Sequence, residues 1–177
     1  MTDDFDARKA RASDWFRALR DEIVAAFEAL EDSHASGPFA DAAPGRFEVT
    51  PTTRTADDGS DAGGGLMSVM RGGRVFEKVG VNVSTVYGTL GAAAQASMAA
   101  RGVPGVEADP RFWASGISLV AHMANPHAPA VHMNTRMFWT PGAWWFGGGE
   151  DLNPCLEQAE DTAHFHETLR DHLAPHG

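Results

Sequence analysis

Chemistry-bearing side chains gather in one stretch, Val131-His132-Met133-Asn134-Thr135-Arg136-Met137-Phe138-Trp139. Polar and apolar residues alternate along it, and a strand of that pattern sets His132, Asn134 and Arg136 on one face, with Met133, Thr135 and Met137 on the other. The preceding run, Gly116-Ile117-Ser118-Leu119-Val120-Ala121-His122, places Ser118, Val120 and His122 on a common face. Between the two, residues 123–130 hold two prolines and an Asn-Pro step, which is loop chemistry. Antiparallel pairing with His122 opposite His132 sets Ser118 opposite Arg136, so a polar line crosses one sheet face.

Three chemistries are open to such a set. The first is a solvated edge hairpin with no chemical task, against which Val120 and the neighbouring tryptophans argue for a covered sheet. The second is a metal site built from His122, His132 and a helical histidine. His164 and His166 lie two apart on a helix, roughly 200° around its axis, so they cannot both face one centre. The third is an acid/base and anion site. There His132 exchanges a proton near neutral pH, Arg136 forks onto a carboxylate, and Asp151 accepts hydrogen bonds from ligand N–H groups.

The elements that must hold these residues are legible from periodicity. Residues 5–30 repeat apolar side chains at three- and four-residue steps (Ala12, Trp15, Phe16, Leu19, Ile23, Phe27, Leu30), an amphipathic helix. Residues 33–62 lack periodicity and read as loop. Short alternating runs over 74–79 and 80–87 read as strands, with Gly72-Gly73 as the hairpin turn before them. Residues 91–105 are rich in Ala and Gly and read as short helix or loop. Ala143-Trp144-Trp145-Phe146 is a further strand, running into Gly147-Gly148-Gly149, where backbone can turn or approach a ligand. No Gly-Lys-Ser/Thr follows, so this is not a phosphate loop. Asn153-Pro154 opens a helix that reaches about Leu173. The order predicts an α+β fold, a flat antiparallel sheet covered by helices, with N- and C-terminal helices flanking the strands.

Composition narrows the partners. The 177 residues carry 14 Lys+Arg against 24 Asp+Glu, a net charge of −10. That balance argues against nucleic acid or an anionic membrane as partner. No apolar run approaches the roughly 20 residues of a membrane-spanning helix. The acidic start, Met1-Thr2-Asp3-Asp4, lacks the basic and apolar regions of a secretory signal, and Cys155 has no cysteine to pair with, so the expected compartment is the cytoplasm. One domain over residues 1–177 is expected. Within it the charge is uneven: residues 1–62 hold 14 acids and 7 bases, whereas residues 63–149 hold six bases and three acids. The positively biased segment is where an anionic small molecule would sit.

Several motifs in order carry a family resemblance. They are Gly63-Gly64-Gly65, the stretch from Gly73 to Ser84, Gly116 to His122, Asn125-Pro126, His132-Met133-Asn134-Thr135-Arg136, Trp144 to Gly149, and Asp151-Leu152-Asn153-Pro154. Together they resemble oxygen-dependent coproporphyrinogen III oxidase. The resemblance implies oxidative decarboxylation of two propionates of coproporphyrinogen III to vinyl groups, giving protoporphyrinogen IX in haem biosynthesis. Dioxygen is then the co-substrate, no redox cofactor is required, and the protein is a homodimer. It also implies that this chain is the N-terminal portion of a larger family domain. By position, His132 falls at the proton donor, Ser118, Asn134, Thr135 and Arg136 at substrate-binding positions, and Asp151 at an acid that meets pyrrole nitrogens. His122, His132 and His166 fall at histidines described as metal ligands, in a family where metal dependence is disputed. Arg74 would add a second cationic fork, and Trp144, Trp145 and Phe146 an apolar wall. The rival readings are a non-catalytic relative that holds a tetrapyrrole or polycarboxylate, and a small His-ligated metal oxygenase.

Overall fold

Helix α1 (Asp3–Ser33) precedes six strands in the computed structural model, which describes residues 3–176. The strands are β1 (Glu48–Thr55), β2 (Asp61–Arg71), β3 (Phe76–Thr89), β4 (Arg111–Met123), β5 (Ala130–Thr140) and β6 (Ala143–Asn153). They form one antiparallel meander in the order β1-β2-β3-β4-β5-β6, each strand pairing with its sequence neighbours. Short connections favour that topology, because consecutive strands can pair without a crossover. Helix α2 (Ala92–Ala100) lies in the β3–β4 connection, and α3 (Ala159–Leu173) follows β6. The expected α+β architecture is the one observed.

Period-2 alternation divides the sheet into an inner and an outer face. Met70, Val79, Val81, Val83, Ile117, Leu119, Ala121 and Met137 are buried on the inner face, beneath Ala12 and Phe16 of α1. Each fully buried Val, Met or Phe contributes about 1.5–3 kcal/mol, so this seam decides where α1 docks. Phe27 stacks on Phe76 with centroids 4.8 Å apart. Two members of the expected helical stripe stay outside it: Trp15 is 55% and Leu30 48% exposed.

The last turn of α1 is tied to the β2–β3 hairpin by a buried carboxylate. Glu31 is fully buried. Its Oε1 accepts from the N–H groups of Val75 (3.0 Å) and Phe76 (2.9 Å), and its Oε2 from those of Gly45 (2.8 Å) and Arg74 (2.6 Å). Burial pushes this carboxyl's pKa up, but the four N–H donors outweigh burial and hold it below its ordinary 4.5.

Four expectations about elements change. Residues 33–62 contain β1 and the start of β2, whose strands are hidden in the sequence by Pro and Gly. Pro51 is tolerated because β1 is an edge strand. The two short strands over 74–87 are one, β3. Gly147-Gly148-Gly149 does not turn; it pairs with Arg136, Thr135 and Asn134 and carries β6 on to Asn153. The final helix therefore starts at Ala159, with Gln158 as its N-cap, and Asn153 is a strand residue. Helix α3 buries no side chain. Its Phe165 lines a cleft together with Leu152 and Pro129, and Gln158 Nε2 at its N-cap donates to the His127 carbonyl (3.3 Å).

Candidate active site

The outer face of β3–β6 carries the polar line that alternation predicts. Ser118 pairs with Asn134, Val120 with His132, and Gly116 with Arg136, while His132 pairs with Asp151 on β6. Register differs by two residues from the expected His122–His132 pairing. An even slip leaves every side chain on its expected face, which is why the face was legible and the partner was not. His122 instead sits diagonally from His132, ring centroids 6.1 Å apart and nearly perpendicular.

At one end of this face His132 Nδ1 lies 2.8 Å from Asp151 Oδ1, with the two side chains 39% and 56% exposed. Asn153 Nδ2 donates to the same oxygen at 2.7 Å. In the middle, Arg136 Nη1 donates to Asn134 Oδ1 (2.9 Å), and no carboxylate pairs with Arg136 among the described residues. Its remaining N–H groups are available to an anion. Beside it is a shallow hollow of about 410 Å³ lined by Asn82, Ser84, Ser118, Asn134 and Arg136. Gly116 keeps β4 close to β5 here, since a Cβ on it would lie 2.6 Å from Arg136 Cβ. A Cβ on Gly147 or Gly149 would meet nothing within 4 Å, so the face stays flat and open beside Arg136 and Asn134. At the far end Phe112, Phe138 and Trp145 form a stacked ladder across β4, β5 and β6, with centroids 5.7 and 5.0 Å apart.

Some expected members stand elsewhere. Thr135 faces inward, opposite Ile117 and Gly148, as its odd position in β5 requires. Arg74 is in the hairpin before β3, where its Nε donates to the Ala42 carbonyl (2.6 Å). Of the three aromatics on β6, Trp145 shares the polar face. Trp144 and Phe146 point to the α1 side, where Arg8 stacks over Trp144 at 5.0 Å. His166 lies on α3, beside a cleft shared with Glu150, Asp151 and Asp161. Among the described residues no group of three or more His, Cys, Asp or Glu side chains could hold a metal ion, so His122, His132 and His166 do not assemble as a ligand set. Nor do the tryptophans cover the outer face: Val120 is 36% exposed. Phe112, Phe138, Asn82, Ser84 and Asn153 were missed by sequence reasoning. Extending the alternation across all four strands would have placed each on this face.

Fold and site define a class: a helix-backed antiparallel sheet whose other face combines an aromatic ladder, a guanidinium and a histidine–carboxylate pair. The chain matches the coproporphyrinogen III oxidase family model over residues 11–177, and it belongs to that family. It is similar to proteins named oxygen-dependent coproporphyrinogen-III oxidase. The one from Rickettsia bellii (strain RML369-C) is 44% identical over 159 residues, covering 90% of this chain and 52% of the relative. The one from Rickettsia felis is 42% identical over 163 residues, covering 92% and 53% respectively. This chain thus spans about half the length of the curated relatives it matches. No helix among the described residues is long and apolar enough to cross a membrane.

Proposed function

We propose that this protein performs the oxygen-dependent oxidative decarboxylation of coproporphyrinogen III, converting two propionates to vinyl groups. The observation that carries the reading is the shared face of the His132–Asp151 pair and Arg136 on β5 and β6. Coproporphyrinogen presents carboxylates at its rim and pyrrole N–H groups at its centre. Along β5, Arg136 and His132 are four residues apart, roughly 13 Å at strand rise. A propionate on Arg136 and Asn134 therefore sets the macrocycle across the sheet, with apolar edges against Phe138 and Trp145 and pyrrole N–H groups toward Asp151.

The chemistry balances without a redox cofactor. Each propionic acid side chain, R–CH2–CH2–COOH, plus O2 gives R–CH=CH2, CO2 and H2O2. The carbon framework loses two electrons, and dioxygen takes them with two protons. The C–COO bond breaks, and its electron pair becomes the new C=C bond as hydrogen leaves the adjacent carbon. Asp151 Oδ2 accepts a pyrrole N–H, which makes the ring electron-rich toward dioxygen. His132, held through Nδ1–H, delivers in its doubly protonated form a proton from Nε2 to reduced oxygen and is left with its lone pair there. Arg136 holds the reacting carboxylate in place, which lowers the orientational cost of the step. No step is routed through a metal.

The reading extends to a homodimer in the cytoplasm. Among the described residues β1 and β6 are edge strands, and an edge strand favours association, which light scattering after size exclusion would measure. For activity the test is coproporphyrinogen consumption in air and under argon, followed by fluorescence of the oxidised products. Oxygen-dependent appearance of protoporphyrin, abolished in His132→Ala, is the expected result. The exposure of the outer face supports a second reading, a relative that binds a polycarboxylate tetrapyrrole and leaves it unchanged. Tight binding with no vinyl product in air would establish that alternative.

A further inference from the structure

We propose that Asn153 is a positioning residue that fixes the orientation of Asp151 and, through it, the tautomer of His132; the inference rests on the proposed acid role of His132. Three atoms converge at the end of β5 and β6. His132 Nδ1 is 2.8 Å from Asp151 Oδ1, Asn153 Nδ2 is 2.7 Å from the same oxygen, and Nδ2 is 3.2 Å from Nδ1. One proton arrangement satisfies all three distances. If Nδ1 were the unprotonated nitrogen, its lone pair would face the Asp151 carboxylate at hydrogen-bond distance, which is repulsive. With Nδ1–H the ring and the amide both donate to Oδ1, and the Nδ1–Nδ2 approach is a contact between two donors. The neutral ring then carries its lone pair at Nε2, away from Asp151.

Asn153 achieves this by place in the fold. Asp151 and Asn153 are two apart on β6, so their side chains rise from the same face at adjacent pleats. An exposed aspartate on an edge strand otherwise samples several rotamers, and one that leaves His132 frees the ring to exchange tautomers. The second donor on Oδ1 holds the carboxylate where it can orient the ring. It also leaves Oδ2 without a protein hydrogen bond among the described residues, free for a ligand N–H. Strand extension past the three glycines is what delivers Asn153 here.

The test is nitrogen-edited NMR of the histidine side chains in the full chain at pH 9, where an ordinary imidazole is neutral. The His132 signal is assigned by its loss in His132→Gln. Wild type is expected to show the Nδ1–H form. Asn153→Ala removes the donor, and Asn153→Leu keeps the branched shape with neither a donor nor an acceptor. Both are expected to lower the Nδ1–H population by a factor of about two or more. Loss of the inner-face packing signals would mark a folding defect in Asn153→Ala, and the near-isosteric Asn153→Leu then decides. Wild type in the Nε2–H form, or an Asn153→Leu spectrum unchanged at His132, overturns the inference. Absence of turnover in wild type with the tautomer behaving as stated would instead overturn the proposed activity. Where turnover is measured, Asn153→Leu lowers kcat and leaves KM within about twofold, because the residue acts through His132.

Discussion

Replacing Glu31 with Gln removes one of two carboxylate oxygens that together accept four backbone N–H groups. The substituted amide retains a single carbonyl oxygen, enough for two of those donors, and presents its NH2 to the other two. A buried donor left without a partner costs about 1–3 kcal/mol, so two of them cost about 2–6 kcal/mol. Against a domain stability of roughly 5–15 kcal/mol, that is a large fraction of the whole. The pH dependence gives the sharper test. The folded carboxyl ionises below its ordinary value of 4.5, so its contribution is complete above that value. As pH falls through 4.5 the unfolded chain takes up its proton first, and the stabilisation declines until the folded carboxyl protonates as well. Urea unfolding followed by tryptophan fluorescence should therefore show a constant gap between wild type and Glu31→Gln above about pH 5.5 that narrows below 4.5. A gap under about 1 kcal/mol at pH 7, or one that persists unchanged in acid, would refute the account.

Other outcomes follow from the same geometry. Phe16→Ala should lose about 3–5 kcal/mol in urea unfolding, whereas Trp15→Ala, one position away and exposed, should change stability by less than about 0.5 kcal/mol. Gly116→Ala should cost about 1–3 kcal/mol and weaken porphyrin binding, because its Cβ drives β4 from β5 at Arg136. Arg136→Lys should raise the Kd for coproporphyrin III, read by fluorescence titration, roughly tenfold, since a lysine replaces the planar fork with a point charge.

Much of the site was readable in the primary structure because a strand repeats every two residues. Ser118, His122, His132, Asn134 and Arg136 had to share a face if their segments were strands, and that conclusion survives any even shift in pairing. The pairing itself was not readable. It depends on how many residues the loop over 123–130 absorbs before β5 begins, and a proline-containing loop has several ways to do so. The three glycines mislead for a related reason. Glycine accepts turn and strand equally, and neighbouring Asn134, Thr135 and Arg136 supply the ladder that makes this segment extended. With a turn expected there, Asn153 reads as a helix cap, whereas the ladder makes it a strand residue beside Asp151.

Local order thus settles alternation, helix periodicity and the supply of acid, base and cation, since these depend on residues a few positions apart. Whatever joins distant residues was settled only by folding. The Glu31 carboxylate gathers N–H groups from residues 14 to 45 positions away. Arg74 turns from the polar face to the Ala42 carbonyl, and Asp151 reaches His132 across the β5–β6 ladder. Such contacts arise once burial has chosen which strands lie together, and no periodicity along the chain encodes that choice.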